Sequence, residues 1–256
     1  MLEPLTFGPL QFTSHTAVEA VELVVRNSKG HDVTALSVVT PNIQHVYLAN
    51  KDESIANSLN SADIILPDGW PLAAALRHFH SDRRGRVPGS DLTEIILRSA
   101  HASGLRVAIL GGTPASNKLA VERTQSRFPG LAVSGSGQLN LPPAPTEASR
   151  AAFVSQVNEF GADITLVCFG APKSELHVAE CKSYTATGAL LCVGATVDFL
   201  AGTKARAPRW VQNARLEWAF RLLQEPRRLT LRYIQGLTGF AAAWRATSRT
   251  RRGAAA

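Results

Sequence analysis

Asp68 is the residue best placed in this sequence to move a proton. It stands in Pro67-Asp68-Gly69-Trp70-Pro71, directly after an apolar run. Pro67 ends the strand ladder and Gly69 relaxes the turn, so the carboxylate is expected at the mouth of a sheet. Partial desolvation by Trp70 would raise its pKa and suit it to general-base work. Asp-Gly turns also occur without function, so the motif alone leaves both readings open. Arg86 precedes Pro88-Gly89-Ser90-Asp91, a helix start with Asp91 and Glu94 in its first turn. Its guanidinium could bind an oxyanion or simply lie on the surface.

No metal site is expected. His78 and His80 lack a nearby carboxylate or thiol to complete one, and His177 with Cys181, four apart on a helix, reads as packing. There is no D-x-D motif. Neither G-x-G-x-x-G nor G-x-x-x-x-G-K-[ST] occurs, which counts against a dinucleotide or P-loop site.

The elements that must position these residues alternate. Ala35–Thr40, Ala62–Pro67, Arg106–Leu110, Leu131–Ser134, Ile164–Phe169 and Ala189–Val193 read as buried strands. Helical patterns fall between them near 44–60, 70–79, 91–103, 115–127, 147–160 and 173–182. This alternation predicts a mostly parallel sheet with helices on both faces. Three strand exits carry glycine: Gly111-Gly112-Thr113-Pro114, Gly170-Ala171-Pro172 and Gly194. Such turns can admit a phosphate-bearing ligand, and they also serve ordinary strand-to-helix reversal.

The net charge of +7 is uneven. Residues 203–256 hold twelve Lys or Arg against Glu217 and Glu225, whereas residues 1–202 hold 15 basic and 18 acidic groups. Trp210, Trp218 and Trp244 share that basic segment, which is expected to seek phosphate on a nucleic acid, an anionic membrane or a diphosphate substrate. Over 210–224, read as one helix, Asn213, Glu217, Arg221 and Gln224 fall within about 80° of one another. That predicts a narrow polar stripe on an otherwise buried rod, with Glu217 and Arg221 as an ion pair or Arg221 reaching a phosphate. Apolar residues are 45% of the chain, enough for a sizeable core, and no run of eighteen of them suggests a spanning helix. The N-terminus does not read as a secretory signal. Cys168, Cys181 and Cys192 are expected as buried, reduced thiols of a cytoplasmic protein.

Taken in order, the motifs resemble the WecG/TagA/CpsF glycosyltransferase family. They are Thr40-Pro41-Asn42, Pro67-Asp68-Gly69, Arg86 through Asp91, Gly111 through Pro114 and Gly170 through Glu175. They continue through Val197-Asp198-Phe199, Arg206-Ala207-Pro208 and Leu216-Glu217-Trp218 to Glu225-Pro226-Arg227-Arg228. The resemblance implies a Rossmann-like core over residues 1–202 and a basic helical appendage over 203–256, its last ten or so residues disordered. It implies inverting, metal-independent transfer from a UDP-sugar to a polyprenyl-diphosphate-linked sugar at the inner face of the plasma membrane, without a cofactor. Asp68 matches the general base, and Thr40, Asn42 and Arg86 match pocket residues. Donor-binding positions are Gly111, Gly112, Pro114, Gly170, Pro172, Lys173, Ser174, Glu175 and Asp198. Arg206, Arg221, Arg228 and Arg232 fall to the diphosphate. Homo-oligomers are compatible with this reading. Ser174 stands where the family usually has Gln, which points to a different donor. Alternatives are a nucleic-acid-binding module, a nicotinamide oxidoreductase without its fingerprint, and an inactive family member.

Overall fold

The computed structural model describes residues 4–30, 34–82 and 84–254. Six parallel strands form the central sheet in the order β4-β3-β8-β7-β5-β6. They are β3 (Leu36–Val39), β4 (Ile64–Ile65), β5 (Val107–Gly111), β6 (Val133–Ser136), β7 (Ile164–Cys168) and β8 (Ala189–Cys192). All six strands expected from the apolar runs are present. β4, at one edge of the sheet, is the shortest of the six, and its outer side is taken by Thr13, whose hydroxyl accepts from the Ile65 amide.

Alternate side chains along each strand enter two separate cores, as a sheet covered on both faces requires. Val39, Ile65, Leu110, Val167 and Leu190 pack on one side. Val38, Ile64, Ile109, Leu166 and Leu191 pack on the other. The first face is covered by α2 (Ile43–Lys51), α3 (Glu53–Asn60), α4 (Trp70–His80), α7 (Glu147–Phe160) and α8 (Lys173–Cys181). The second carries α1 (Ala17–Ser28), α5 (Gly89–Ser103), α6 (Pro114–Arg127) and α9 (Thr196–Ala201). The expected helix over 44–60 is two helices. Asp52 breaks it in an extended conformation and caps α3 through its bond from the Ser54 amide.

Before the first expected strand the chain adds α1 and a hairpin, β1 (Leu5–Phe7) with β2 (Leu10–Phe12). Strands of three residues show no legible periodicity. They are held by packing, with Phe7 against Phe79, Phe240 and Trp244.

After α9 come α10 (Arg209–Asn213), α11 (Glu217–Gln224) and α12 (Pro226–Ala254). The single helix expected over 210–224 is therefore interrupted, at Arg215 with φ 63°. α12 is helical through Ala254. α12 lies along α2 so closely that a Cβ on Gly239 would sit 2.4 Å from Tyr47 Cα. Its Ala243 is fully buried in the main core. Trp244 is partly buried against that core, stacked on His78 at 4.9 Å. The three cysteines are free and buried, and burial pushes the Cys168 thiol up to about 12.

Candidate active site

Because the strands are parallel, β3, β4, β5, β7 and β8 all release the chain at the same end of the sheet. The exit of β4 is pinned on two sides. The Asp68 amide donates to the Pro41 carbonyl (2.8 Å), and the Val87 amide donates to the Pro67 carbonyl (2.7 Å). These bonds set Asp68 between the Thr40-Pro41-Asn42 turn and the segment that carries Arg86. Gly89 makes this close approach possible, since a Cβ there would lie 3.0 Å from Thr40 Oγ1.

The Asp68 carboxyl is pushed up to about 6, chiefly by burial. Arg221, Arg86 and His45 counteract that shift and Glu217 reinforces it. A carboxylic acid that titrates near neutrality at the mouth of a sheet can take a proton from a hydroxyl at physiological pH.

Glu217 organises the guanidinium groups around it. Its Oε2 accepts from Arg86 Nη1 at 2.9 Å and its Oε1 from Arg221 Nη2 at 3.0 Å. Trp70 lies beneath Arg215 and Arg86, 4.3 and 5.4 Å from its ring centroid. The basic C-terminal helices therefore reach the carboxyl end of the sheet. Arg206 pairs with Asp91 and also feels the Asp68 charge.

Other expected site residues are placed less simply. Asn42 spends its side chain capping α2, accepting from the Gln44 amide at 2.9 Å. Its own amide donates to His45 Nδ1, which leaves the His45 proton on Nε2, 3.3 Å from Glu175 Oε1. Ser174 is fully buried, and its hydroxyl accepts from the Phe169 amide at 3.1 Å. It braces the β7 turn. Asp198 is held by Lys204 at 2.7 Å, and Lys204 also reaches Glu225, which pairs with Arg228. Arg232 has no ion-pair partner among the described residues, and burial holds its pKa below the usual range.

The glycine turns divide into two kinds. A Cβ on Gly111 would meet the Cys168 carbonyl carbon at 2.8 Å, and one on Gly112 would meet Ser116 Oγ at 2.9 Å. Both glycines, each with positive φ, are needed for the chain's own packing. Around Gly170 and Gly194 a Cβ would meet nothing within 4 Å, so these turns leave room beside the backbone. The chain leaves β5 outward to β6 but leaves β7 back toward β8, with α6 and α8 on opposite faces. Such a reversal, here between the exits of β5 and β7, is the usual ligand position in sheets of this kind. Pro114 opens α6 behind the Thr113 cap, and Pro172 and Lys173 open α8.

Several buried polar atoms near these exits have no partner among the described residues: Gln44 Oε1, Trp70 Nε1, Ser90 Oγ, Glu175 Oε2, and Arg206 Nε and Nη2. Native proteins seldom leave such atoms unmatched away from functional sites. His45 is the site residue that motif reading passed over; Glu217 was legible in the Leu216-Glu217-Trp218 motif and on the polar stripe of 210–224, but with no role beyond an ion pair with Arg221. The histidines weighed for metal have other work: His80 Nε2 lies 2.7 Å from the Thr6 carbonyl, and His177 bridges Ser149 and the Lys173 carbonyl. Among the described residues no three His, Cys, Asp or Glu side chains are grouped as a metal site requires.

The nucleic-acid reading finds no support here; Lys204, Arg206, Arg221 and Arg228, four of the twelve basic residues of the segment, are engaged in pairs within the chain. The sheet, the Asp68 turn and the C-terminal helices that close on it lie together within one sequence match to the glycosyl transferase WecG/TagA/CpsF family, over residues 6–254, and the chain belongs to that family of glycosyltransferases.

Proposed function

We propose that this protein transfers a sugar from a UDP-sugar to a sugar carried on a polyprenyl diphosphate, with inversion, at a membrane surface. Family membership gives a sugar donor and an acceptor; the rest is argued from the site. The observation that carries the reading is Asp68, raised to about 6 and flanked by Arg86 and Arg221 through Glu217. Asp68 takes the proton of the acceptor hydroxyl as its oxygen attacks the anomeric carbon. The bond from that carbon to the phosphate oxygen breaks in the same step, and UDP leaves with the electron pair. One displacement gives one inversion. Thr40, Asn42 and Arg86 line the acceptor side. The open side of the turn at Gly170, Pro172 and Lys173 takes the donor.

Charge builds on the departing phosphate, and fixed cations lower the barrier most when they are already in place. Arg221 and Arg232, with Arg228 and Arg206 beside them, supply that charge, so no divalent ion is required. The membrane part rests on exposed apolar side chains that the sequence reading had expected to be buried. Trp218 is 54% and Leu223 83% exposed, while Glu217 is buried, so the polar and apolar faces of α11 are inverted. Trp210, Leu231, Ile234 and Leu237 extend this surface, with Arg209 and Arg227 exposed nearby. Apolar side chains among arginines suit an anionic lipid interface. Among the described residues no helix is long and apolar enough to cross a membrane.

The test is incubation with a panel of UDP-sugars and a short-chain prenyl-diphosphate-linked GlcNAc, read by mass spectrometry. One UDP-sugar should yield a glycosylated lipid and free UDP with EDTA present. Turnover that needs added magnesium, or none with any UDP-sugar, would overturn the reading.

A further inference from the structure

α11 buries the wrong residue by ordinary rules. Glu217 is its one buried residue, while Trp218 and Leu223 on the same helix face solvent. Burying a carboxylate is costly unless its oxygens are matched. Here both are, by guanidinium groups from distant parts of the chain: Arg221 one turn along the helix and Arg86 131 residues away in sequence. The Arg86 side chain is itself largely buried. Local rules broken in this way mark sites where another requirement prevailed.

We propose that Glu217 is a positioning residue: it ties the C-terminal helices to the core beside Asp68 and holds the base and its two guanidinium neighbours in one charge-balanced cluster. This rests on the reading of Asp68 as the base. The charged and titratable groups facing Asp68 are Arg221 and Glu217 from α11, Arg86 from the segment before α5, His45 from α2 and Arg206 from the connection before α10. Glu217 opposes ionisation of Asp68 and the two arginines favour it. The cluster keeps the base able to accept a proton while its cations stand ready for the leaving group.

A docking ion pair alone would affect stability but would not set the titration of Asp68, so the pH-rate profile separates the two roles. In Glu217→Gln the acidic limb of kcat should move down by about half a unit to one unit, because a like charge is lost beside the base. The rate should also fall about tenfold or more. Glu217→Asp keeps the charge and should leave the limb at its wild-type position. Arg86→Gln removes a cation and should move it upward. Carbon-13 NMR titration of the Asp68 carboxyl should show the same displacements in variants too slow to assay. A limb that does not move in Glu217→Gln, or that moves equally in Gln and Asp, overturns the proposal. A wild-type profile with no acidic limb, or one that persists in Asp68→Asn, would instead remove the base role of Asp68 itself.

Discussion

Replacing Asp68 with Asn should remove activity and stabilise the fold, and the two effects have one cause. Burial raises the carboxyl from 3.8 to about 6 in the folded state. The native protein therefore binds more protons than the unfolded chain between those values, and its stability falls as pH rises through that window. Above pH 6 the cost of holding the ionised carboxylate is complete. A shift of two units corresponds to about 3 kcal/mol, and partial exposure and solvent screening reduce this to about 1–3 kcal/mol. Asn is nearly isosteric and carries no charge, so it escapes that cost. At pH 7.5 the variant should melt about 2–12 °C above wild type, given some 2–4 °C per kcal/mol for a chain of this size. Near pH 4 and below, the difference should disappear, because both forms of the site are then neutral. Turnover with the lipid-linked acceptor should fall about 10²–10⁴-fold, while UDP affinity by calorimetry stays near wild type. Wild-type turnover should rise with pH through about 6. A variant that keeps its rate, or one whose stability gain is the same at pH 4 as at pH 7.5, would refute the reasoning.

Arg221→Ala should lower kcat more than it raises KM for the donor, because its charge matters most as UDP departs; equal binding loss with unchanged kcat would contradict that. Joint replacement of Trp218 and Leu223 by Ser should weaken sedimentation with anionic vesicles several-fold without lowering the melting temperature, since both side chains already face solvent. Gly111→Ala should destabilise by about 2 kcal/mol or more in urea unfolding, because φ is +108° and the added methyl meets the β7 backbone. Trp244→Ala should cost about 3–5 kcal/mol in the same assay by emptying the aromatic cluster of Phe7, Phe79 and Phe240.

Much of the architecture is written locally. Six apolar runs became the six parallel strands, and the residues at their carboxyl ends had to share one edge once the strands were parallel. That put Asp68 on the same edge as Thr40; Arg86, which stands at no strand end, was set beside them only by the family resemblance. Capping chemistry was equally local: Thr113 and Thr146 open α6 and α7 through their own side chains. What local pattern could not give was which residues paid for which contacts far along the chain. Periodicity over 210–224 described one helix with buried apolar sides, but Arg215 breaks it, and Arg86, distant in sequence, draws Glu217 inward instead. The hairpin of Leu5–Phe7 and Leu10–Phe12 exists because Phe240 and Trp244 of α12 cover it. Gly111 and Gly112 looked like openings for a ligand until the neighbouring strand and α9 were seen to fill the space. Secondary structure follows from hydrogen bonding and side-chain spacing within a few residues. Burial of a charge, exposure of a tryptophan and the tuning of a carboxyl depend on groups that only the folded chain brings together.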